Sequence, residues 1–379
     1  MTVRLLLAGG GTAGHVNPLL ALADAVRDSA VGADGAEILV LGTAEGLESR
    51  LVPERGYELA TIPRVPFPRR PDPAAARFPR DFARAVAQAE RAIDAVGADV
   101  VVGFGGYVAT PAYRAAARRG VPVVIHEQNV RAGLANRLGA RTAAAVALTF
   151  AETRLRARRG ETTHVGLPMR ADVSALARRP DAGRQAAHDA AAARLGLDPT
   201  RPVLLVTGGS LGAQRINLAM AGAATDLTAA GVQVLHAAGR GKVDSVAAAA
   251  AAAGEDYHLV EYLDDMASAY AAASLVLGRS GAGTVCEQAA VGLPGVYVPL
   301  PIGNGEQRLN VRALEEAGGA VVVEDAAMTP DAVRAIVLPL LLDAERRGRM
   351  AAAARAHGVA DGAERLRDLV LRTRRVARG

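Results

Sequence analysis

The chain has 379 residues, 50% of them hydrophobic and 22% charged, and a net charge of +5. That length exceeds one ordinary core and predicts two domains of a globular protein. No apolar run reaches the roughly 18–20 residues of a membrane-spanning helix, the single cysteine, Cys286, excludes an internal disulfide and fits a reducing cytoplasm, and with 3% aromatics and no DNA- or RNA-binding signature nucleic acid is the weakest of the anionic partners.

The charge is uneven. Residues 1–165 carry +5, residues 166–364 carry −5, and the tail from Arg365 carries +5. A basic front half and tail read either as a surface facing anions, such as membrane headgroups or phosphorylated ligands, or as a solvated arginine-rich face.

The first predicted strand, RLLLAG, runs straight into a glycine loop. Its LLLA imitates a short signal-peptide core but is read as structure. The loop lies in LAGGGTAGHVNPLLALADAV, residues 7–26, and Gly9, Gly11 and Gly14 satisfy GxGxxG. A dinucleotide site would also need an acidic residue near the end of the second strand, yet EILVLGT ends in Gly42-Thr43 and Glu45 follows the turn. The loop still predicts close approach of backbone to an anion or to sugar hydroxyls, with Thr12 and free N–H groups at a helix start. Pro18 reads as a first-turn proline. His15, at the mouth of this loop, is either a general base of near-neutral pKa or a cap of the loop.

Next, VPFPRRPDPAAARFPRDFARA, residues 65–85, interleaves Phe67, Phe78 and Phe82 with Arg69, Arg70, Arg77, Arg80 and Arg84. It reads as apolar wedges with basic neighbours for anionic lipid, or as a loop and helix whose phenylalanines belong to the core. A helix is predicted over 83–96. GFGGYVATP follows the strand ADVVVG and places another glycine turn at a strand end. VPVVI leads into HEQNVRAGLAN, where His126, Glu127, Gln128 and Asn129 cluster; such a group lines a cleft or forms a buried network. One histidine without cysteine is no zinc site. AAVALTF closes the front half, and the join is placed near Pro168.

The back half repeats the plan. PVLLVTGGSLGAQRINLAMA matches RLLLAGGGTAGHVNPLLALA in having a strand, a Gly-Gly-Ser/Thr turn and a helix. VQVLHAAG, DYHLVEYL, ASLVLGRSG and PGVYVPLP are its further strands, with a helix over 265–273. In RSGAGTVCEQAAVGLP small residues open a helix whose N–H groups suit a diphosphate. Glu287, about one turn in, suits ribose hydroxyls or balances Arg279, and Cys286 is a small packing residue. No Asp-x-Asp metal pair is found. Apolar runs alternating with helices predict an α/β chain of two Rossmann-like, doubly wound parallel-sheet domains facing a central cleft.

GGGTAGHVNP, GTAEGLESRLVPERGY, GFGGYVATP, HEQNVRAGLAN, HVGLPMR, GGSLGAQRIN, EYLDDMASAYAAASLVLGRSGAGTVCEQAAVGLP and EQRLN, in this order over most of residues 4–320, resemble the MurG family of bacterial N-acetylglucosaminyltransferases. The resemblance implies a GT-B glycosyltransferase without a cofactor or metal. Its N-terminal domain, 1–167, would face acceptor and membrane; 168–355 would bind UDP-GlcNAc; 356–379 would form a helix packing back on the first domain. It implies inverting transfer of GlcNAc to the C4 hydroxyl of MurNAc in undecaprenyl-diphospho-MurNAc-pentapeptide, lipid I, giving lipid II for peptidoglycan and cell-wall biogenesis. His15 would be the base, with Glu127 a second nominee. Thr12, Ala13, Gly14 and Asn129 would contact the GlcNAc; Arg170 and Ser210 the nucleotide; Leu263 the uracil; Ala282, Gly283 and Thr284 the diphosphate; Glu287 the ribose; Gln307 the donor sugar. The family also implies a peripheral place on the inner face of the cytoplasmic membrane, beside other cell-wall synthesis proteins. Ala13 replaces a common glycine, and GNGEQ at 303–307 a more basic segment. The alternatives are another GT-B glycolipid or natural-product glycosyltransferase, a non-catalytic membrane-docking partner, and a nicotinamide oxidoreductase.

Overall fold

The computed structural model describes residues 2–29, 35–68, 73–209, 213–302 and 304–374. The chain divides into two compact units, Met1–Arg170 with Asp361–Gly379, and Ala171–Ala360. The division thus falls slightly later than at 167/168 and 355/356. Val165 packs in the first unit's core, and the Gly166 carbonyl faces the His126 ring at 3.1 Å. At the other end, the helix Ala344–His357 and Gly358 lie against the helix Ala282–Val291 and stay with the second unit.

In the first unit β1 (Val3–Ala8), β2 (Ala36–Gly42), β3 (Glu58–Thr61), β4 (Val100–Gly103), β5 (Val123–Glu127), β6 (Ala145–Leu148) and β7 (Glu161–His164) form one parallel sheet. Its order is β3-β2-β1-β4-β5-β6-β7. The inner strands are buried on both faces, which is why they read as unbroken apolar runs. Along β1, Leu5 and Leu7 point to a layer with Val16, Leu19 and Leu22 of the helix Ala13–Arg27 and Leu366, Leu369 and Val370 of the closing helix Gly362–Thr373. Leu6 and Ala8 point to the opposite layer, with Val86, Ala89 and Ile93 of the helix Pro73–Val96 and Ala112 and Ala116 of the helix Ala109–Arg119. This alternation follows from the period of two along a strand.

In the second unit β8 (Val203–Thr207), β9 (Gln233–Ala237), β10 (Tyr257–Val260), β11 (Leu275–Gly278), β12 (Gly295–Tyr297) and β13 (Ala320–Val322) pair in parallel in the order β10-β9-β8-β11-β12-β13. Its core holds Leu204, Val206, Ile216, Met220 and Leu277. One polar knot lies within it. His236 Nδ1 is 2.8 Å from the Tyr257 hydroxyl and Nε2 is 3.1 Å from Asn217 Oδ1, while Asn217 Nδ2 donates to the Ala238 carbonyl at 3.0 Å. Burial lowers the His236 pKa to about 4.

In both sheets the strand order reverses at one place, between β1 and β4 and between β8 and β11. Beyond the carboxyl ends of strands at such a switch point, the connecting loops diverge and leave room for a ligand. The glycine segments after β1 and β4, and the RSGAG turn after β11, stand at these positions.

Candidate functional site

In the first unit three strand ends converge. The chain leaves β1 through Gly9-Gly10-Gly11-Thr12, and Thr12 is the extended residue (φ −131, ψ 156) before a helix that opens at Ala13. His15 is therefore in that helix's first turn, and the Thr12 carbonyl accepts from the N–H groups of His15 and Val16, both at 3.1 Å. Pro18 lies inside the helix and not in its first turn. Having no N–H, it cannot bond the Gly14 carbonyl four residues back, which keeps one acceptor of the loop out of the helix ladder.

The turn after β4 interlocks with this loop. A Cβ on Gly106 would lie 2.7 Å from the Gly10 carbonyl oxygen, and one on Gly105 would lie 3.1 Å from His15 Nε2. Both glycines have positive φ, +98 and +79 for Gly105 and Gly106, so two causes require glycine there. His15 is half-buried, with Nδ1 3.2 Å from the Thr12 hydroxyl. Desolvation lowers its pKa, opposed by a hydrogen bond with the Gly10 backbone and by the charge of Glu48. A lowered imidazole pKa keeps the ring neutral and able to take a proton near neutral pH.

The cluster after β5 separates into two roles. His126 and Gln128 are buried and bonded to each other at 3.0 Å, and His126 Nε2 is 3.3 Å from the Thr149 hydroxyl. They form a structural network, and burial lowers the His126 pKa to about 4. Glu127 is also buried. Its carboxylate accepts from Asn129 N at 3.0 Å, Gly133 N at 3.1 Å and Asn136 Nδ2 at 2.9 Å. Burial raises its pKa against those three bonds. A carboxylate so committed holds the Asn129 loop in place. Asn136 is braced in turn by the Tyr113 hydroxyl at 2.7 Å.

Sequence reading missed Glu48. The acidic residue sought after β2 was Glu45, which is exposed; the buried one is three residues on, where Oε2 accepts from Gly11 N at 2.8 Å. The sequence signal was a second glutamate in GTAEGLE, two residues after Gly46. With the Gly11 amide taken by an internal carboxylate, this GxGxxG does not present that amide to a pyrophosphate, contrary to the nicotinamide reading.

In the second unit Gly281 (φ −63, ψ 150) precedes the helix Ala282–Val291 and gives it no side-chain cap. The first-turn N–H groups of Ala282, Gly283 and Thr284 thus remain available to an anion. The Ser280 hydroxyl beside them is fully buried and has no hydrogen-bond partner among the described residues. Glu287 Oε2 accepts from the Tyr270 hydroxyl at 2.8 Å. Arg279 pairs with Asp325 at 2.6 Å. The Cys286 thiol is pushed up by burial, as suits packing. Leu263 lies in the loop before the helix Met266–Ala272, which Asp265 caps by accepting from Ser268 N at 2.9 Å. Gln307 Oε1 accepts from Leu300 N at 3.0 Å. Arg170 is half-buried at the end of the first unit's main segment, and Ser210 lies outside the described residues.

Phe67, Phe78 and Phe82 form one cluster, with centroids 5.3, 5.5 and 6.4 Å apart. Phe78 and Phe82 also touch the core, while Arg77, Arg80 and Arg84 on their helix are exposed. Arg69 and Arg70 lie outside the described residues. Among the described residues no helix is long and apolar enough to cross a membrane.

Residues 5–148 match the glycosyltransferase family 28 N-terminal domain and residues 203–366 its C-terminal domain. The chain is 56% identical to the UDP-N-acetylglucosamine--N-acetylmuramyl-(pentapeptide) pyrophosphoryl-undecaprenol N-acetylglucosamine transferase of Clavibacter michiganensis subsp. michiganensis, covering 98% of this chain and 96% of that one. It is 52% identical to the protein of the same name from Paenarthrobacter aurescens, covering 97% and 96%. Its fold is similar to that of the Acinetobacter baumannii MurG crystal structure, with a TM-score of 0.76 and 28% identity over 98% and 99% of the two chains.

Proposed function

The chain belongs to glycosyltransferase family 28 and within it to the MurG N-acetylglucosaminyltransferases, and from that premise we propose how its residues divide the chemistry. It has the GT-B fold and transfers GlcNAc from UDP-GlcNAc to lipid I, forming lipid II.

In our reading His15 takes the proton of the acceptor's C4 hydroxyl while that oxygen bonds the anomeric carbon and the bond to UDP breaks, inverting the centre. What supports this is the position of the imidazole, at the switch point of the first sheet and held between the two interlocked glycine turns. Thr12, Ala13 and Gly14 on the same loop, with Asn129 held by Glu127, contact the sugar. The uncapped turn at Ala282–Thr284 takes the donor diphosphate, and the buried Ser280 hydroxyl without a partner is the observation that favours a ligand there. Glu287 accepts from the ribose hydroxyls, Leu263 meets the uracil through its backbone, Gln307 the donor sugar, and Arg170 with Ser210 the nucleotide. The phenylalanine cluster with its exposed arginines rests on anionic lipid at the cytoplasmic face of the membrane, where a lipid-linked acceptor is found.

The test of the base is His15→Ala. We expect kcat for acceptor-dependent UDP release to fall at least about 100-fold, with UDP binding by calorimetry unchanged. Retention of more than a tenth of the rate would remove His15 from the proton transfer.

A further inference from the structure

Resting on the reading of His15 as base, we propose that Glu48 is its positioning residue: the carboxylate anchors the Gly9–Thr12 turn from within the unit and supports the positive charge that His15 gains with the acceptor proton.

The geometry is that of a built-in anion. Glu48 is fully buried. Oε2 accepts from Gly11 N at 2.8 Å, and Oε1 accepts from Thr43 N and from the Thr43 hydroxyl, both at 2.8 Å. All three partners are donors, so the group acts throughout as an acceptor. One carboxylate therefore joins the end of β2 to the turn after β1, Glu48 standing 37 positions after Gly11. The chain makes room for it: a Cβ on Gly10 or Gly46 would run into the carboxylate, and one on Gly42 into the Glu48 Cγ. A clasp between two turns does not need a charge, since a neutral amide or hydroxyl can accept such bonds, and taking an ion out of water is costly.

The charge has a use at His15. Beside the imidazole stand the Thr12 hydroxyl, the Gly10 backbone and Gly105, all uncharged. The charge of Glu48, which sits against Gly10 and Gly11, raises the His15 pKa. Desolvation alone would make the ring a poor proton acceptor; a fixed carboxylate behind the turn opposes that. During transfer the acceptor O–H gives its proton to the imidazole, the oxygen bonds the anomeric carbon, and UDP leaves with the electron pair of the broken bond. The resulting imidazolium is the charge that Glu48 stabilises, before the proton passes to solvent.

Two variants separate charge from fold. Glu48→Gln keeps the shape and removes the charge. Thr43→Val removes a hydrogen bond from the same carboxylate and keeps the charge. kcat/KM for a lipid I analogue is measured across about pH 5–9, with melting temperatures. In E48Q the acidic limb moves to lower pH and kcat falls about 10-fold, while the KM for UDP-GlcNAc stays within about 2-fold of wild type. In T43V the melting temperature falls and the limb stays. An E48Q limb that coincides with wild type, or an equal displacement in T43V, overturns the proposal. Should E48Q fail to fold, Glu48→Asp, which keeps the charge, must leave the limb in place; a moved limb there overturns it as well. His15→Ala distinguishes the two levels. If H15A retains rate and limb, the reading of His15 fails. If H15A loses both and E48Q leaves the limb unmoved, the Glu48 proposal alone fails.

Discussion

Two glycines of the first unit form a matched pair for testing whether the turns after β1 and β4 depend on each other. Gly56 and Gly106 have φ of +80 and +79, so alanine at either incurs the same left-handed penalty, about 1–2 kcal/mol. They differ in space. Nothing lies within 4 Å of a methyl at Gly56, whereas one at Gly106 would lie 2.7 Å from the Gly10 carbonyl oxygen. That oxygen is backbone and cannot swing aside as a side-chain end would, so the turns must separate, adding about 1–3 kcal/mol. Gly106→Ala is thus expected to melt below Gly56→Ala by at least about 2–4 °C, the shift of one kcal/mol in a unit of this size. The displaced loop carries His15, and a misplacement on the order of 1 Å at a reacting group can cost about 100-fold in rate. Acceptor-dependent UDP release should therefore fall by at least about 10-fold in G106A and stay within about 2-fold of wild type in G56A. Equal melting temperatures and equal activities in the two variants would refute the claim that these turns hold each other.

His126 and His236 both have pKa values lowered to about 4, against 6.5 in an unfolded chain. Between those values the unfolded state binds more protons, so stability is fully present above about pH 6.5 and declines as pH falls to about 4, by up to about 3 kcal/mol for each histidine; urea midpoints at several pH values would reveal it, and His236→Gln should flatten part of the slope. Glu287→Ala should raise the KM for UDP-GlcNAc about 10-fold through loss of charge-assisted hydrogen bonds, with a smaller effect on kcat, and an unchanged KM would remove Glu287 from the ribose site. Phe67→Glu should weaken sedimentation with anionic phospholipid vesicles about 10-fold, as loss of one buried aromatic implies, and unaltered partition would count against the lipid-facing cluster.

Of the thirteen strands among the described residues ten were legible as apolar runs, most of them because strands buried on both faces have no polar side to interrupt them. The three that were not, β3, β7 and β13, are sheet edges. ELAT and ETTH are half-exposed and carry polar residues, and AVV is only three residues long. The glycine turns were legible as turns, and the switch points of the two sheets give the physical reason they mark a site. What the sequence could not convey was partnership over distance. HEQN shows four polar residues, but only the fold tells that His126 and Gln128 bond each other in the core while Glu127 clamps the Asn129 loop. Glu48 was invisible for the same reason, since its meaning lies in Gly11, far away along the chain. The proline rule failed at Pro18 because the helix starts with small residues, Ala13 and Gly14, before the proline arrives.

The decisive experiment is UDP release from UDP-GlcNAc, with and without a lipid I analogue, by the wild-type protein and by H15A. Wild-type protein should release UDP only when the acceptor is present, and H15A should lose nearly all of that release with nucleotide binding intact. Release that ignores the acceptor would rule out acceptor-coupled transfer, and a fully active H15A would rule out His15 as the base.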